Sequence, residues 1–236
     1  RRPPRSTPKP SSAASDVYKR QKKRMTKIKI INLKVSSFDT NCYIIYKDDY
    51  SKCIVIDPGG ESEKINNKIL SMNLSISHVL CTHGHPDHTG GVNDLLSVKN
   101  IEFYIGEGDE SLLENPPKFI TELLPDFKIP PTNYKIIKND TVIKLDDIDV
   151  QVIKTPGHTP GSLSFYCEGM IFTGDTLFKG SVGRTDLGGG DFDLEISSIK
   201  NKIFSLPEDT LIYPGHGSST KISIEKSQNP FFKNVI

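Results

Sequence analysis

The hydrophobic positions along the chain follow two periods, and together they predict alternating strands and helices. Short apolar segments rich in β-preferring residues, bounded by polar turns, predict strands. These segments lie at residues 27–35, 41–46, 53–56, 78–81, 101–105, 134–137, 142–145, 148–154, 163–167, 170–173 and 211–213. Apolar residues at helical spacing predict helices, and they lie at residues 61–72 (with Ile65, Ile69 and Leu70 on one face), 92–96, 106–113, 194–204 and from Thr220 to Pro230.

The order of these elements predicts the fold class. The first three strands are joined by hairpin-length links, so we expect them to pair antiparallel. Each half of the chain then runs from strands to helices. This order suits an α/β fold of the αββα kind, a sandwich of two mixed sheets with helices outside and loops of both halves meeting at one edge.

A proline-rich segment interrupts the pattern at residues 115–132. Its five prolines exclude a long helix. The same segment is too apolar for a free linker, because it contains Phe119, Ile120, Leu123, Leu124 and Phe127. We therefore predict a packed surface loop that walls a pocket.

The start of the chain has a different character. Residues 11–21 match, codon for codon, the translation of a transposase-type sequencing adapter, and residues 1–7 fit the end of the same oligonucleotide. We interpret residues 1–21 as a library artefact and expect translation to begin near Met25, so that residues 25–236 form a single domain. The alternative is a basic disordered tail or a transit peptide.

The net charge of the chain changes once residues 1–21 are set aside. These residues carry six cations against one carboxylate, so the remaining chain has a formal net charge of about −4 and no basic surface to predict nucleic-acid or anionic-membrane binding. It contains no apolar run near the ~20 residues that cross a bilayer, and no signal-peptide core. The four cysteines show no CxxC spacing. We therefore expect buried thiols and a reducing cytoplasm.

Candidate metal chemistry is concentrated at residues 81–91, between a predicted strand and a predicted helix. His83 and His85 alternate in extended backbone and so share one side, while Asp87 and His88 open the following turn. Imidazole nitrogen and carboxylate oxygen are ligands that zinc accepts. The alternative is a polar loop that happens to be histidine-rich, but three of the chain's six histidines lie here.

Further candidate ligands follow in similar loops. His158 and His216 each stand after a Pro-Gly pair, and Asp175 ends an apolar strand in a Gly-Asp turn. Such turns are individually common. Asp57 is another carboxylate at a strand end. It could bond the backbone of the first motif, bond a ligand histidine, or simply form the turn.

In this order and spacing, the segments resemble the metallo-β-lactamase superfamily over roughly residues 28–232. The resemblance implies two divalent ions, zinc first, with iron or manganese as alternatives. By resemblance, the first ion is held by His83, His85 and His158, the second by Asp87, His88 and His216, and Asp175 bridges them. A water between such ions has its pKa lowered to about 7, so the implied nucleophile is a metal-bound hydroxide. Asp87 and Asp175 are the residues assigned to catalysis.

The segments 174–178 and 183–186 resemble the glyoxalase II branch, whose members cleave S-D-lactoylglutathione and similar hydroxyacyl thioesters. The bridging Asp175 is unlike the cysteine of drug-hydrolysing relatives. The resemblance implies that Arg184 and Phe178 bind substrate, with Arg184 in place of a glutathione-binding lysine. The alternative is that Arg184 pairs with Asp186 or Asp191. Asp186 replaces a glutathione-binding tyrosine, and we expect the chain to resemble the short bacterial members, which lack the branch's added helical domain.

Other functions remain open. The strongest competitor is a persulfide dioxygenase of the same superfamily, in which the counterparts of His83, His158 and Asp175 hold a single iron. A nuclease needs a basic surface, which is lacking here. A non-catalytic scaffold is disfavoured because the ligand set is intact. We expect a small-molecule thioester as the partner, and neither nucleic acid nor membrane.

Overall fold

The computed structural model describes residues 27–97 and 101–233; the predicted artefact and Met25 lie outside the described residues. The strands are β1 Lys29–Val35, β2 Thr40–Tyr46, β3 Lys52–Ile56, β4 Ser75–Leu80, β5 Glu102–Gly106, β6 Lys135–Ile137, β7 Thr141–Leu145, β8 Ile148–Lys154, β9 Leu163–Cys167, β10 Met170–Gly174, β11 Leu177–Phe178, β12 Ser181–Val182, β13 Leu211–Pro214 and β14 Thr220–Lys221. The helices are α1 Ser62–Ser71, α2 Pro86–Thr89, α3 Val92–Leu95, α4 Glu110–Glu114, α5 Lys118–Thr121, α6 Phe192–Ser198 with a π-helical continuation at Ile199–Ile203, and α7 Ile222–Gln228.

The strands form two six-stranded mixed sheets. The first has the order β1-β2-β3-β4-β5-β6, and the second β14-β13-β10-β9-β8-β7. The predicted antiparallel pairing of β1, β2 and β3 is confirmed, and β4 then joins β3 in parallel. In the second sheet β13 pairs with β10 in parallel. The predicted αββα class, two mixed sheets flanked by helices, is therefore confirmed.

Alternate side chains of the central strands enter two different cores. In β2, Tyr43 and Ile45 belong to the core shared by the two sheets, with Phe165 of the second sheet. Cys42 and Ile44 alternate with them along the strand and belong to the core under the helices of the first sheet. A strand buried on both faces needs apolar residues at nearly every position. This requirement explains the continuous apolar run from Cys42 to Ile45.

Helices cover the outer face of each sheet. Ile65 and Ile69 of α1 are buried against the first sheet. Leu70, which we predicted on the same helical face, is 63% exposed, so that part of the prediction is wrong. A residue one position after Ile69 is turned about 100° from it. On the second sheet, Ile199 and Ile203 of the π-helical segment pack in one cluster with β10 and β13.

The structure corrects several predicted boundaries. The helix predicted at 106–113 begins later, because Gly106 is the last residue of β5; a Cβ there would lie 1.9 Å from the Gly161 carbonyl oxygen. The helix predicted at 194–204 begins earlier, at Phe192. The proline-rich segment contains the one-turn helix α5. Strands β11, β12 and β14 were not predicted, because each has only two residues and a segment of that length cannot show an alternating pattern.

All four cysteines are buried free thiols. Among the helices of the described ranges, none has both the length and the apolar character needed to cross a membrane.

Candidate metal centre

The predicted ligands lie on loops from both halves of the chain. The chain leaves β4 at Leu80, bends at Thr82 and His83, and is extended at His85, whose φ and ψ are −65° and 145°; Pro86 then begins α2. A proline suits this first helical position, because its fixed φ matches the helix and no N–H is needed there. His83 and His85 therefore precede the helix, while Asp87 and His88 lie within it. The expected strand-to-helix loop is present.

The side chains of all seven predicted ligands converge. Nε2 of His158 lies 3.3 Å from Nε2 of His83 and 3.0 Å from Nδ1 of His85. Nε2 of His216 lies 3.3 Å from Nε2 of His88 and 3.2 Å from Oδ2 of Asp87. The atoms thus form two adjacent groups.

Asp175 reaches both groups. Its Oδ1 lies 3.3 Å from Nε2 of His88, and its Oδ2 lies 3.6 Å from Nε2 of His216 and 3.9 Å from Nε2 of His158. The carboxylate can approach because Gly215 has no side chain: a Cβ there would lie 2.2 Å from Oδ1 of Asp175. This placement matches the bridging position that the resemblance implies.

The protonation states favour cation binding. Burial and the neighbouring imidazoles hold the pKa of His83 well below its usual value, and burial and His158 lower that of His85 to about 4. Both rings are therefore neutral at pH 7 and offer lone pairs. Burial opposes ionisation of Asp175, yet the imidazoles led by His88 lower its pKa.

The fit to a metal is supported by an unsatisfied polar atom. Among the described residues, Oδ1 of Asp175, which lies between the two groups, is buried without a hydrogen-bond partner. Buried polar atoms normally have one. A compact set of imidazoles and carboxylates with such an atom at its centre fits divalent ions.

Asp57 orients His88 and also holds the first motif. Its Oδ1 accepts from the Thr82 N–H at 2.7 Å, and its Oδ2 accepts from the Thr82 hydroxyl at 2.8 Å and from Nδ1 of His88 at 3.0 Å. Because Nδ1 of His88 donates to Asp57, its Nε2 faces the site. Burial opposes protonation of this ring, but Asp175, Asp87 and Asp57 raise the pKa of His88, so a cation that binds there takes the place of the proton on Nε2. Asp57 thus makes both contacts that the sequence left open, and it also forms the turn with a φ of 52°.

The imidazoles of His83, His158 and His216 each contact an oxygen atom through Nδ1. Nδ1 of His83 lies 3.1 Å from the Thr82 hydroxyl, which accepts because its own proton is donated to Asp57. Nδ1 of His158 donates to the carbonyl of Arg184 at 2.7 Å, and Nδ1 of His216 donates to the carbonyl of Phe38 at 3.1 Å. In each ring Nε2 is left to face the site.

A buried carboxylate, Asp109, joins the two loops of the first group. It accepts from the Gly84 N–H at 2.8 Å, the Gly161 N–H at 2.7 Å and the Thr159 hydroxyl at 2.7 Å. Burial raises its pKa, although these hydrogen bonds act in the opposite direction. Sequence analysis missed this residue because it fell inside the predicted helix at 106–113. The available signal was a carboxylate shortly after a strand, as for Asp57.

The loop of His216 is anchored to the first half of the chain. The Asn41 side chain donates to the carbonyls of Pro214 and Gly217 at 2.8 and 3.1 Å, and the Tyr43 hydroxyl donates to the Pro214 carbonyl at 2.7 Å. The Asn41 backbone N–H also donates to Gly215. These contacts from β2 bring His216 beside His88.

Comparison with known proteins agrees with this geometry. A family model described as the metallo-beta-lactamase superfamily matches residues 36–216. This chain belongs to that superfamily. The hydroxyacylglutathione hydrolase GloC of Haemophilus influenzae is 37% identical over 204 residues, which cover 85% of this chain and 96% of that protein.

Solved structures from the superfamily share the fold. The crystal structure of the BLEG-1 B3 metallo-beta-lactamase is 34% identical, has a TM-score of 0.80, and covers 87% of this chain and 100% of its own. The structure of TTHA1623 in a di-iron-bound form is 32% identical with a TM-score of 0.76, covering 85% and 99%.

A cavity of about 350 Å³ opens beside the superfamily's metal position. It is lined by four of the predicted ligands, His85, Asp87, His158 and Asp175, by Arg184, and by apolar side chains from three segments: Phe38, Phe119, Ile120, Leu123 and Leu187. The expectation that residues 115–132 wall a pocket is confirmed. A larger cavity of about 700 Å³, between α1 and residues 125–128, contains none of the seven predicted ligands.

Of the two predicted substrate-binding residues, one lines this cavity and the other does not. Arg184 lines the cavity, but its Nε and Nη2 donate to the carboxylate oxygens of Asp186 at 2.7 and 2.9 Å, as the alternative pairing predicted. Both side chains are exposed. Phe178 is not a lining residue of this cavity; its ring centroid lies 6.3 Å from that of His216.

Proposed function

We propose that this protein is a metal-dependent hydrolase of hydroxyacyl thioesters, with S-D-lactoylglutathione as the first substrate to test. The observation that carries the proposal is the convergence of seven imidazole and carboxylate side chains, with Asp175 reaching both groups. The similarity to GloC supports the thioester class. The intact ligand set supports an enzyme over a binding scaffold.

We further propose that the site holds two divalent ions, zinc first, with iron or manganese as alternatives. Bound ions of this kind lower the pKa of water to about 7 and stabilise negative charge that develops on a carbonyl oxygen. The di-iron form of TTHA1623 supports keeping iron among the candidates.

The chain's own residues would hold the ions and orient the attacking water. Asp87 and Asp175 both line the cavity, so their carboxylates face the position where the scissile carbonyl would lie. Burial opposes their ionisation, but neighbouring imidazoles, His88 foremost, lower the pKa of both, so that they stay ionised and can accept hydrogen bonds from the attacking water. Asp57 and Asp109 keep the surrounding loops and rings in place.

A substrate panel with elemental analysis tests the proposal. We expect about two divalent ions per chain and cleavage of S-D-lactoylglutathione, with both lost in Asp175→Ala. The panel also contains a penicillin, a homoserine lactone, a phosphodiester, and glutathione persulfide with oxygen. One tightly held iron, with oxygen uptake on the persulfide and no thioester cleavage, would establish the dioxygenase alternative. Cleavage of the penicillin alone would favour a β-lactamase, as in the BLEG-1 structure.

Arg184 is proposed to bind a carboxylate of the thiol carrier, although it is paired with Asp186 in this structure. If it does, Arg184→Ala should raise KM far more than it lowers kcat, since the contact is remote from the reacting carbonyl. Asp186→Ala should lower KM, because it frees the guanidinium. If the pair only stabilises the loop, both variants should lose thermal stability with KM unchanged.

We propose a single domain at residues 25–236, a cytoplasmic location, and a small-molecule partner without nucleic acid or membrane. The four buried free thiols support a reducing compartment.

A further inference from the structure

The cavity beside the predicted metal ligands has an apolar wall, formed by Phe38, Phe119, Ile120 and Leu123. Three of these side chains are exposed, Phe38 by 39% and Phe119 and Leu123 by 57% each. Exposed apolar side chains are common singly, but a contiguous group beside a site marks a binding surface. A surface loop with polar side chains at these positions would expose less apolar area to water. The exposed apolar side chains therefore indicate that the loop contacts a ligand.

Buried side chains next to the exposed ones anchor the apolar wall to the protein. Ile120 in α5 and Leu124 after the turn that follows α5 are buried, at only 7% and 6% exposure, while Phe119 and Leu123, one position earlier in each case, are exposed. Farther along the loop, the Ile129 carbonyl accepts from the Asn93 side chain at 2.9 Å. The outward direction of Phe119 and Leu123 therefore follows from the packing of their buried neighbours in α5 and after the turn that follows it.

The two ends of the cavity differ in character. The wall lies beside the second group of predicted ligands, because α5 packs on α2 and the Phe38 carbonyl accepts from His216. Arg184 lies beside the first group, because its carbonyl accepts from His158. Asp175 reaches both groups and so lies between the ends. A ligand that crosses Asp175 thus has one arm near a cation and the other on apolar side chains.

We infer that the acyl arm of the thioester lies on the apolar wall and that, among hydroxyacyl thioesters, the enzyme prefers those whose acyl group carries an apolar chain of several carbons. The inference rests on the proposed thioesterase function. A carboxylate of the thiol carrier that takes the place of Asp186 on Arg184 holds the carrier at that end, which leaves the wall for the acyl arm. In the reaction, a water oxygen bonds to the carbonyl carbon, the carbon–sulfur bond breaks, and the water's protons pass to the thiol and to solvent.

A series of S-(2-hydroxyacyl)glutathiones with lactoyl, 2-hydroxybutyryl and 2-hydroxyhexanoyl groups tests this assignment. A fully buried methylene contributes about 0.8 kcal/mol, so kcat/KM should rise by up to about fourfold per added methylene. Phe119→Ser and Leu123→Ser should flatten the dependence on chain length. Both sites are exposed, so the variants should fold, which circular dichroism and metal content can verify.

Phe231→Ser is the matched control, because Phe231 is 42% exposed and does not line this cavity. It should retain the full dependence on chain length. Thioester cleavage that is indifferent to acyl length, or an equal slope in Phe119→Ser and the parent, would overturn the acyl-arm assignment alone. Absence of all thioester cleavage would overturn it together with the proposed function.

Discussion

Replacing Asp109 by asparagine should weaken the first predicted metal position while leaving the second nearly intact. Asp109 contacts the backbone between His83 and His85 through Gly84, and it contacts the loop of His158 through Thr159 and Gly161. No comparable contact joins it to the ligands of the second group in the described residues. The substitution keeps size and shape but removes one acceptor oxygen.

The magnitude follows from the lost acceptor. Whichever way the asparagine amide turns, its NH₂ faces either the Gly161 N–H or the Gly84 N–H, both of which are now satisfied at 2.7 and 2.8 Å. A buried N–H without an acceptor costs about 1–3 kcal/mol. Since the loops that carry the ligands depend on these bonds, affinity for the first ion should fall by about 10- to 100-fold, the range for partners of metal ligands.

Competition between the apoprotein and a chromophoric chelator measures both affinities. Asp94→Asn is the matched control, because Asp94 is an exposed carboxylate paired with Lys128 at 2.7 Å and lies away from the cluster. Thr159→Val removes one donor to Asp109 and should give a smaller loss in the same direction. Equal losses for both ions in Asp109→Asn, or reduced thermal stability with unchanged affinities, would refute this account.

Three further predictions concern Asp57, Glu195 and the nucleophile. Asp57→Asn should lower affinity for the second ion by about 10- to 100-fold, since Nδ1 of His88 loses a charged acceptor; unchanged chelator titrations would contradict this. Burial and Asp175 raise the pKa of Glu195 to about 8 from 4.5, so the unfolded chain ionises first and stability falls as pH rises between those values, by up to about 1.4 kcal/mol per pH unit. Glu195→Gln should remove that loss in urea unfolding at pH 5.5 and 8; identical pH dependence in both proteins would oppose it. The low-pH limb of kcat/KM should move when cobalt replaces zinc, and a limb indifferent to the metal would assign the base to a protein group.

The sequence by itself predicted the elements whose signal is local. The three opening strands, the α/β class and the loop that carries His83 to His88 follow from periods of two and 3.6 and from turn residues, which depend on neighbours in the chain. The candidate ligands could also be named from the sequence, because the chain has few histidines and most of them lie in short segments of turn residues. Two-residue strands and the start of α4 carry no such period, and both were missed.

Tertiary structure alone decided which distant groups meet. His88 and His216 are 128 residues apart in sequence and 3.3 Å apart in space, a contact set by how two sheets and their loops pack. The place of Asp109 shortly after a strand marks it only as a candidate, because the partners that define its role lie 25 to 52 residues away. Likewise, only the packed loop shows Phe119 and Leu123 facing the cavity. Periodicity encodes which side of an element is buried, whereas the partners across a site depend on the arrangement of whole elements.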